Sequence, residues 1–166
     1  MNYIKQMTDL IAIHDEPGSE ASLNAMAILL SYPMANFTSQ YFIRTRDYDK
    51  GLQFVNKCQY IISANKTSIS CENLEKWELY LLTLKLALLD YSNDWEAYVE
   101  LYNKEPTLSS HPAIAKRHGI ICRKLARKRA GKPIEHLKRH QKERLTLSEQ
   151  ERRYAEMLAL FIRMAK

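Results

Sequence analysis

Apolar residues return along this chain about every 3.6 positions, and no stretch sustains a two-residue alternation. That period predicts helices throughout. Tyr3, Met7, Leu10 and Ile11 share one helical face. The run Asp15-Glu16-Pro17-Gly18 predicts a turn, with Ser19 placed to cap the next helix. Residues 21–32 are apolar nearly all round, as in a buried central helix, and Pro33 is expected to end it. Asn36 then caps a short helix bearing Phe37, Tyr41 and Phe42. Asp47 caps the next, with Leu52, Val55, Cys58 and Ile62 as its stripe. Residues 64–70 are polar and predict a loop.

The second half keeps the same period. Residues 74–91 predict a long helix with Trp77, Leu81, Leu84 and Leu88 in line. Asn93-Asp94 is a turn and cap before a helix over 95–104. Residues 106–112, rich in Ser and Pro, predict a second loop. A helix over 113–130 closes at Gly131, and another runs from Pro133 to about Arg144. Ser148-x-x-Glu151 reads as a capping box opening the last helix, whose apolar face is Tyr154, Leu158, Phe161 and Ile162. The expected fold class is all-α: an irregular array of antiparallel helical hairpins, eight or nine helices in all.

One motif resembles a known family. Asp47-Tyr48-Asp49-Lys50-Gly51-Leu52, followed by Val55 and Cys58, is similar to the second helix of a tetratricopeptide repeat. Gly51 and Cys58 hold the two small positions, four and eleven residues after the Asp. Asn93-Asp94-Trp95-Glu96-Ala97 starts the same way, with Tyr98 and Glu105 at those positions. The two copies lie 47 residues apart, where the family repeats at about 34. The resemblance implies stacked helical hairpins and a protein- or peptide-binding role, and it transfers no functional residue.

Charge changes the picture most. Residues 1–110 hold nine Lys/Arg and fourteen Asp/Glu, whereas 111–166 hold sixteen and five, giving −5 and +11. The chain therefore divides into an acidic, aromatic-rich helical core, 1–110, and a basic helical third, 111–166, expected to pack on the same domain. On a helical wheel of 113–130, Ile114, Ile121, Cys122, Leu125 and Ala126 span an arc of roughly 140°. Lys116, Arg117, Arg123, Lys124, Arg127 and Lys128 fall outside it, and Lys132, Lys138, Arg139, Lys142 and Arg144 continue the charge. These cations are the candidate site for nucleic acid or an acidic partner.

Three readings of that face compete: a solvated surface, a phosphate-binding surface, and a dock for an acidic protein, including the acidic half of a second copy. Between Lys116 and Arg144 twelve Lys/Arg meet two Glu. Like charges at i,i+4, such as Arg123/Arg127 and Lys124/Lys128, repel, which sets a neutralising partner beside the solvated surface as a reading to weigh. No Phe, Tyr or Trp lies between Asn103 and Arg153. That absence excludes base-stacking platforms in this stretch and leaves backbone contact to a duplex. It also argues against insertion of this helix into a membrane.

Other chemistry is sparse. Four scattered glycines build no phosphate loop and no nucleophile elbow. His136 and His140 stand at i,i+4 but among cations, which opposes a metal. His14 beside Asp15 and Glu16 reads as a helix-end contact. Cys58, Cys71 and Cys122 are odd in number and widely spaced, as reduced thiols would be. The first thirteen residues have helical spacing and internal charges rather than the block of a signal peptide. Trp77 and Trp95 have two readings, core anchor or protein-binding hot spot. The expected protein is a cytoplasmic, non-enzymatic adaptor without cofactor or metal that binds a protein partner, with no membrane association. Sequence-independent nucleic-acid binding is the alternative, and self-association through the acidic and basic ends is a further option.

Overall fold

The computed structural model describes residues 2–13, 20–134 and 147–165. Among them are eight α-helices and no strand, so the protein is all-α. The helices are α1 (Tyr3–Ile13), α2 (Glu20–Leu29), α3 (Tyr32–Thr45), α4 (Tyr48–Ala64), α5 (Cys71–Tyr91), α6 (Trp95–Lys104), α7 (Pro112–Arg129) and α8 (Leu147–Ala165). Single 3₁₀ turns occupy Lys66–Ser68 and Pro106–Ser110. The second of these makes the expected 106–112 loop a structured corner, because Leu108 is fully buried and pins it.

Two predicted boundaries move. Pro33 does not end α2: the break falls at Leu30-Ser31, where Ser31 is extended, and Pro33 stands in the first turn of α3. A first-turn residue has no intrahelical use for its N–H, so proline costs little there. Asn36 is therefore no cap but an interior residue of a 14-residue helix. The capping box at Ser148 also fails, because Ser148 already lies inside α8. Glu151 instead reaches another helix. Its Oε1 accepts the Tyr3 backbone N–H at 3.1 Å, satisfying an orphan donor of the first turn of α1. Caps over Ser70 and Asp94 behave locally, accepting from Asn73 and Ala97 N–H.

The apolar stripes assemble into two cores that share α5. The larger gathers α1, α2, α3, α4 and α8 around one side of α5, with Phe42, Val55, Cys58, Leu81, Leu84 and Leu88 all sealed. Tyr3 sits at its centre, edge-on to Phe37 at 4.8 Å. Its hydroxyl donates to Thr38 Oγ1 at 2.6 Å, which in turn donates to the Met34 carbonyl. Burial pushes the Tyr3 phenol above its ordinary range. Gly51 lets α4 approach closely, since a Cβ there would stand 2.9 Å from Leu88 Cδ1 and 3.1 Å from Phe42 Cγ. The smaller core joins Leu86 and Leu89 of α5 to Trp95, Tyr98, Leu108, Ile121 and Leu125.

This packing divides the chain differently from its charge. Within the basic third, α7 belongs to the smaller core with α5 and α6, whereas α8 returns to pack on α1 and α3. Phe37 and Tyr154 stack there at 4.4 Å. Among the described residues no helix is long and apolar enough to cross a membrane.

Candidate interaction surfaces

Helix α7 buries the line through Ile121 and Leu125, and its basic residues take three different roles around that line. Arg117 turns inward. Its Nε donates to Asp90 Oδ2 at 2.7 Å, and Nη2 stands 2.6 Å from the same oxygen, at an angle that makes it a charge contact rather than a second hydrogen bond. Asp90, in the last turn of α5, is only 6% exposed. Lys124 and Lys128 lie along Trp95, with their amines 5.5 and 5.8 Å from the ring centroid. Lys128 also pairs with Glu96 at 3.8 Å. These three cations are used by the fold, the aliphatic stems covering an aromatic residue.

Lys116, Arg123 and Arg127 are exposed and form a single row at i, i+7 and i+11. No acidic side chain pairs with any of them among the described residues. Arg127 Nε donates to the Pro133 carbonyl at 3.1 Å, which holds the guanidinium against the end of the helix. Arg129 and Lys132 are exposed beside it. Lys138, Arg139 and Lys142, with His136, His140 and Arg144, lie outside the described residues.

The row differs from the wheel-based expectation for a definite reason. A wheel that counts Ala126 as buried centres the apolar arc too far round. Ala126 is exposed, and centring on Ile121 and Leu125 rotates the arc by roughly 50°. That rotation draws Arg117, Lys124 and Lys128 to the edge of the buried strip and leaves Lys116, Arg123 and Arg127 outermost.

Trp77 and Trp95 are 6% and 2% exposed, so neither offers a ring to a partner. The hot-spot reading of both is corrected to a core role. Trp95 is sealed by Leu86, Leu89 and Leu125 on the inside and by the two lysines outside. The electrostatics follow this burial. The Tyr98 phenol is pushed up to about 12, first by burial and then by the Asp90 charge, with Arg117 opposing. Burial, with Arg117 nearby, lowers the Lys124 ammonium, while Asp90 supports it. His118 stacks on Tyr102 at 3.7 Å and sits 3.3 Å from Cys122 Sγ. Burial lowers its pKa, disfavouring the charged imidazolium beside the basic row.

The structure shows a second surface that periodicity alone missed. Helix α8 buries Ala155, Leu158 and Ile162, yet Met157, Leu160 and Met164 on nearly the opposite side are 36%, 51% and 73% exposed. The spacing i, i+3, i+7 makes them an outward apolar stripe. The sequence carries the signal as a helix apolar on two faces. It is masked because Arg152, Arg153, Glu156 and Arg163 interleave with these residues in the sequence, so that side of the helix reads as solvated.

No group of three or more His, Cys, Asp or Glu among the described residues could hold a metal ion. No family model matches this chain, and no curated protein or solved structure shows significant similarity to it.

Proposed function

We propose that this protein is a non-catalytic helical adaptor that docks a protein partner on the outer stripe of α8. The observation that carries this reading is the exposed line Met157, Leu160, Met164. Helix-in-groove recognition uses anchors at this spacing. Methionine suits such a face because its unbranched thioether adapts to an irregular partner surface. The resemblance of residues 47–58 to a tetratricopeptide helix supports the same class of role, as does the absence of any phosphate loop or nucleophile motif in the sequence.

Replacing Met157, Leu160 and Met164 together with Gln tests the reading. All three point away from the core, so stability should stay within about 1 kcal/mol of the native protein. A stoichiometric partner captured by the native chain from its own cells should be lost by the triple variant. The same polypeptides recovered equally with both proteins would overturn the assignment.

A second reading has its own observation, the exposed row Lys116, Arg123 and Arg127, which meets no carboxylate among the described residues. It supports sequence-independent contact with the phosphates of a duplex. Changing these three to Gln should reduce the slope of log K against log salt by up to about 0.9 for each phosphate no longer neutralised. Changing Lys124 and Lys128 to Gln should alter the slope much less, since those amines already lie on Trp95. No retardation of duplex DNA or RNA by the native protein in low salt would end this reading and leave the adaptor untouched.

A further inference from the structure

The outer stripe of α8 is bordered by a charge pattern that bears on what covers it. Arg153, Met157, Leu160 and Met164 follow one another at steps of four, three and four residues, the spacing of a coiled-coil seam. Glu156 and Arg163, each one residue before a Met, lie on the same flank of that seam, and both are exposed. They stand two turns apart, roughly 10 Å along the axis, too far to meet each other. Glu156 meets no cation among the described residues. Arg163 Nε makes a long surface contact to the Ala159 carbonyl of its own helix at 3.4 Å, and its guanidinium meets no carboxylate among the described residues. The other flank is closed by α3, where Tyr154 stacks on Phe37 and Gln150 accepts from Arg44.

Resting on the docking reading above, we infer that the partner on α8 is a second copy of this chain, its α8 laid antiparallel along the first. Two-fold symmetry then sets Met157 against the partner's Leu160 and Leu160 against the partner's Met157. The stem of Arg153 covers the partner's Met164. On the open flank Glu156 of each copy meets the partner's Arg163, so the symmetry axis creates two opposite-charge pairs from one pattern. Parallel pairing loses both, because it sets Glu156 against the partner's Phe161. The stripe is therefore complementary to itself in charge as well as in apolarity, and only in one direction. The contact is short, at the low end of interface size, so exchange between monomer and dimer at micromolar concentration is expected.

Sedimentation equilibrium of the full chain tests the inference. The native protein should dimerise, and the variant with Gln at 157, 160 and 164 should stay monomeric. Glu156→Arg and Arg163→Glu should each weaken self-association by at least about tenfold, because each sets like charges opposite one another twice. Both positions are exposed, so circular dichroism should show the native helix content in each variant. Mixed in equal amounts, the two single variants should associate with each other as the native chain does with itself, since every flank contact is then opposite in charge. The double variant carrying both changes should also regain the native dimer. A dimer indifferent to both single variants overturns the proposal, as does a mixture no more associated than its components. A native chain that stays monomeric at millimolar concentration overturns it too. If that monomer still captures a different polypeptide that the triple Gln variant loses, self-pairing falls and the docking reading stands.

Discussion

Trp77→Ala will lower the unfolding free energy by about 3–5 kcal/mol, the loss expected when a large aromatic residue is deleted from a packed core. The indole is 6% exposed and belongs to the cluster that includes Leu81, Leu84 and Leu88 on the same helix. Helix α5 is held by α3 and α4 from other directions, so the fold cannot collapse into the vacated space, and the cavity remains. Equilibrium urea unfolding followed by circular dichroism checks the value. A loss below about 1 kcal/mol would mean that the indole is not enclosed. The same substitution at Trp95 has a second consequence. Lys124 and Lys128 lose the ring they cover, so Trp95→Ala should release Lys124, while Lys128 keeps Glu96, and affinity for any polyanion should rise. The indole Nε1 of Trp95 is itself buried with no hydrogen-bond partner, so a fraction of the packing gain at this site is already offset.

Asp90→Ala will cost about 3 kcal/mol, at the low end for breaking a buried ion pair because Arg117 keeps 28% of its side chain exposed. The cost comes from the partner left behind. Without Asp90 the Arg117 guanidinium stays close to the apolar wall formed by Tyr98, Leu86 and Ile114 with no carboxylate to meet it. Arg117→Met in the Asp90→Ala background should therefore recover most of the loss, and the two single changes should be far from additive. Full additivity, measured by the same urea titrations, would show that the pair is not coupled. Arg117 joins α7 to the end of α5, so it belongs to the machinery that orients the basic row rather than to the row.

Much of the fold is legible in the sequence because helical periodicity is a local property. Tyr3, Met7, Leu10 and Ile11 are all buried as their spacing requires. The helix over 95–104 begins and ends where the Asp94 cap and the apolar period place it. The exceptions share one feature: each depends on a residue distant in sequence. Glu151 is in the right place to cap its own helix, but the Tyr3 N–H, 148 positions away, takes its carboxylate. Leu108 turns a polar segment into a fixed corner because the smaller core lies beneath it.

The candidate surfaces divide in the same way. Helicity, the concentration of positive charge after residue 110 and the amphipathic character of α7 can all be read from the chain alone, because composition and a 3.6-residue period depend only on neighbours in sequence. Which of the described cations meet a carboxylate or a ring depends instead on how the helices pack. Asp90 and Trp95 claim Arg117, Lys124 and Lys128, and leave Lys116, Arg123 and Arg127 exposed, the last on the Pro133 carbonyl. Packing alone decided that both tryptophans are sealed and that α8 keeps a second apolar stripe outside. Burial and pairing are set by which elements meet, and a helical wheel fixes the order of side chains around an axis without fixing which side of that axis faces the core.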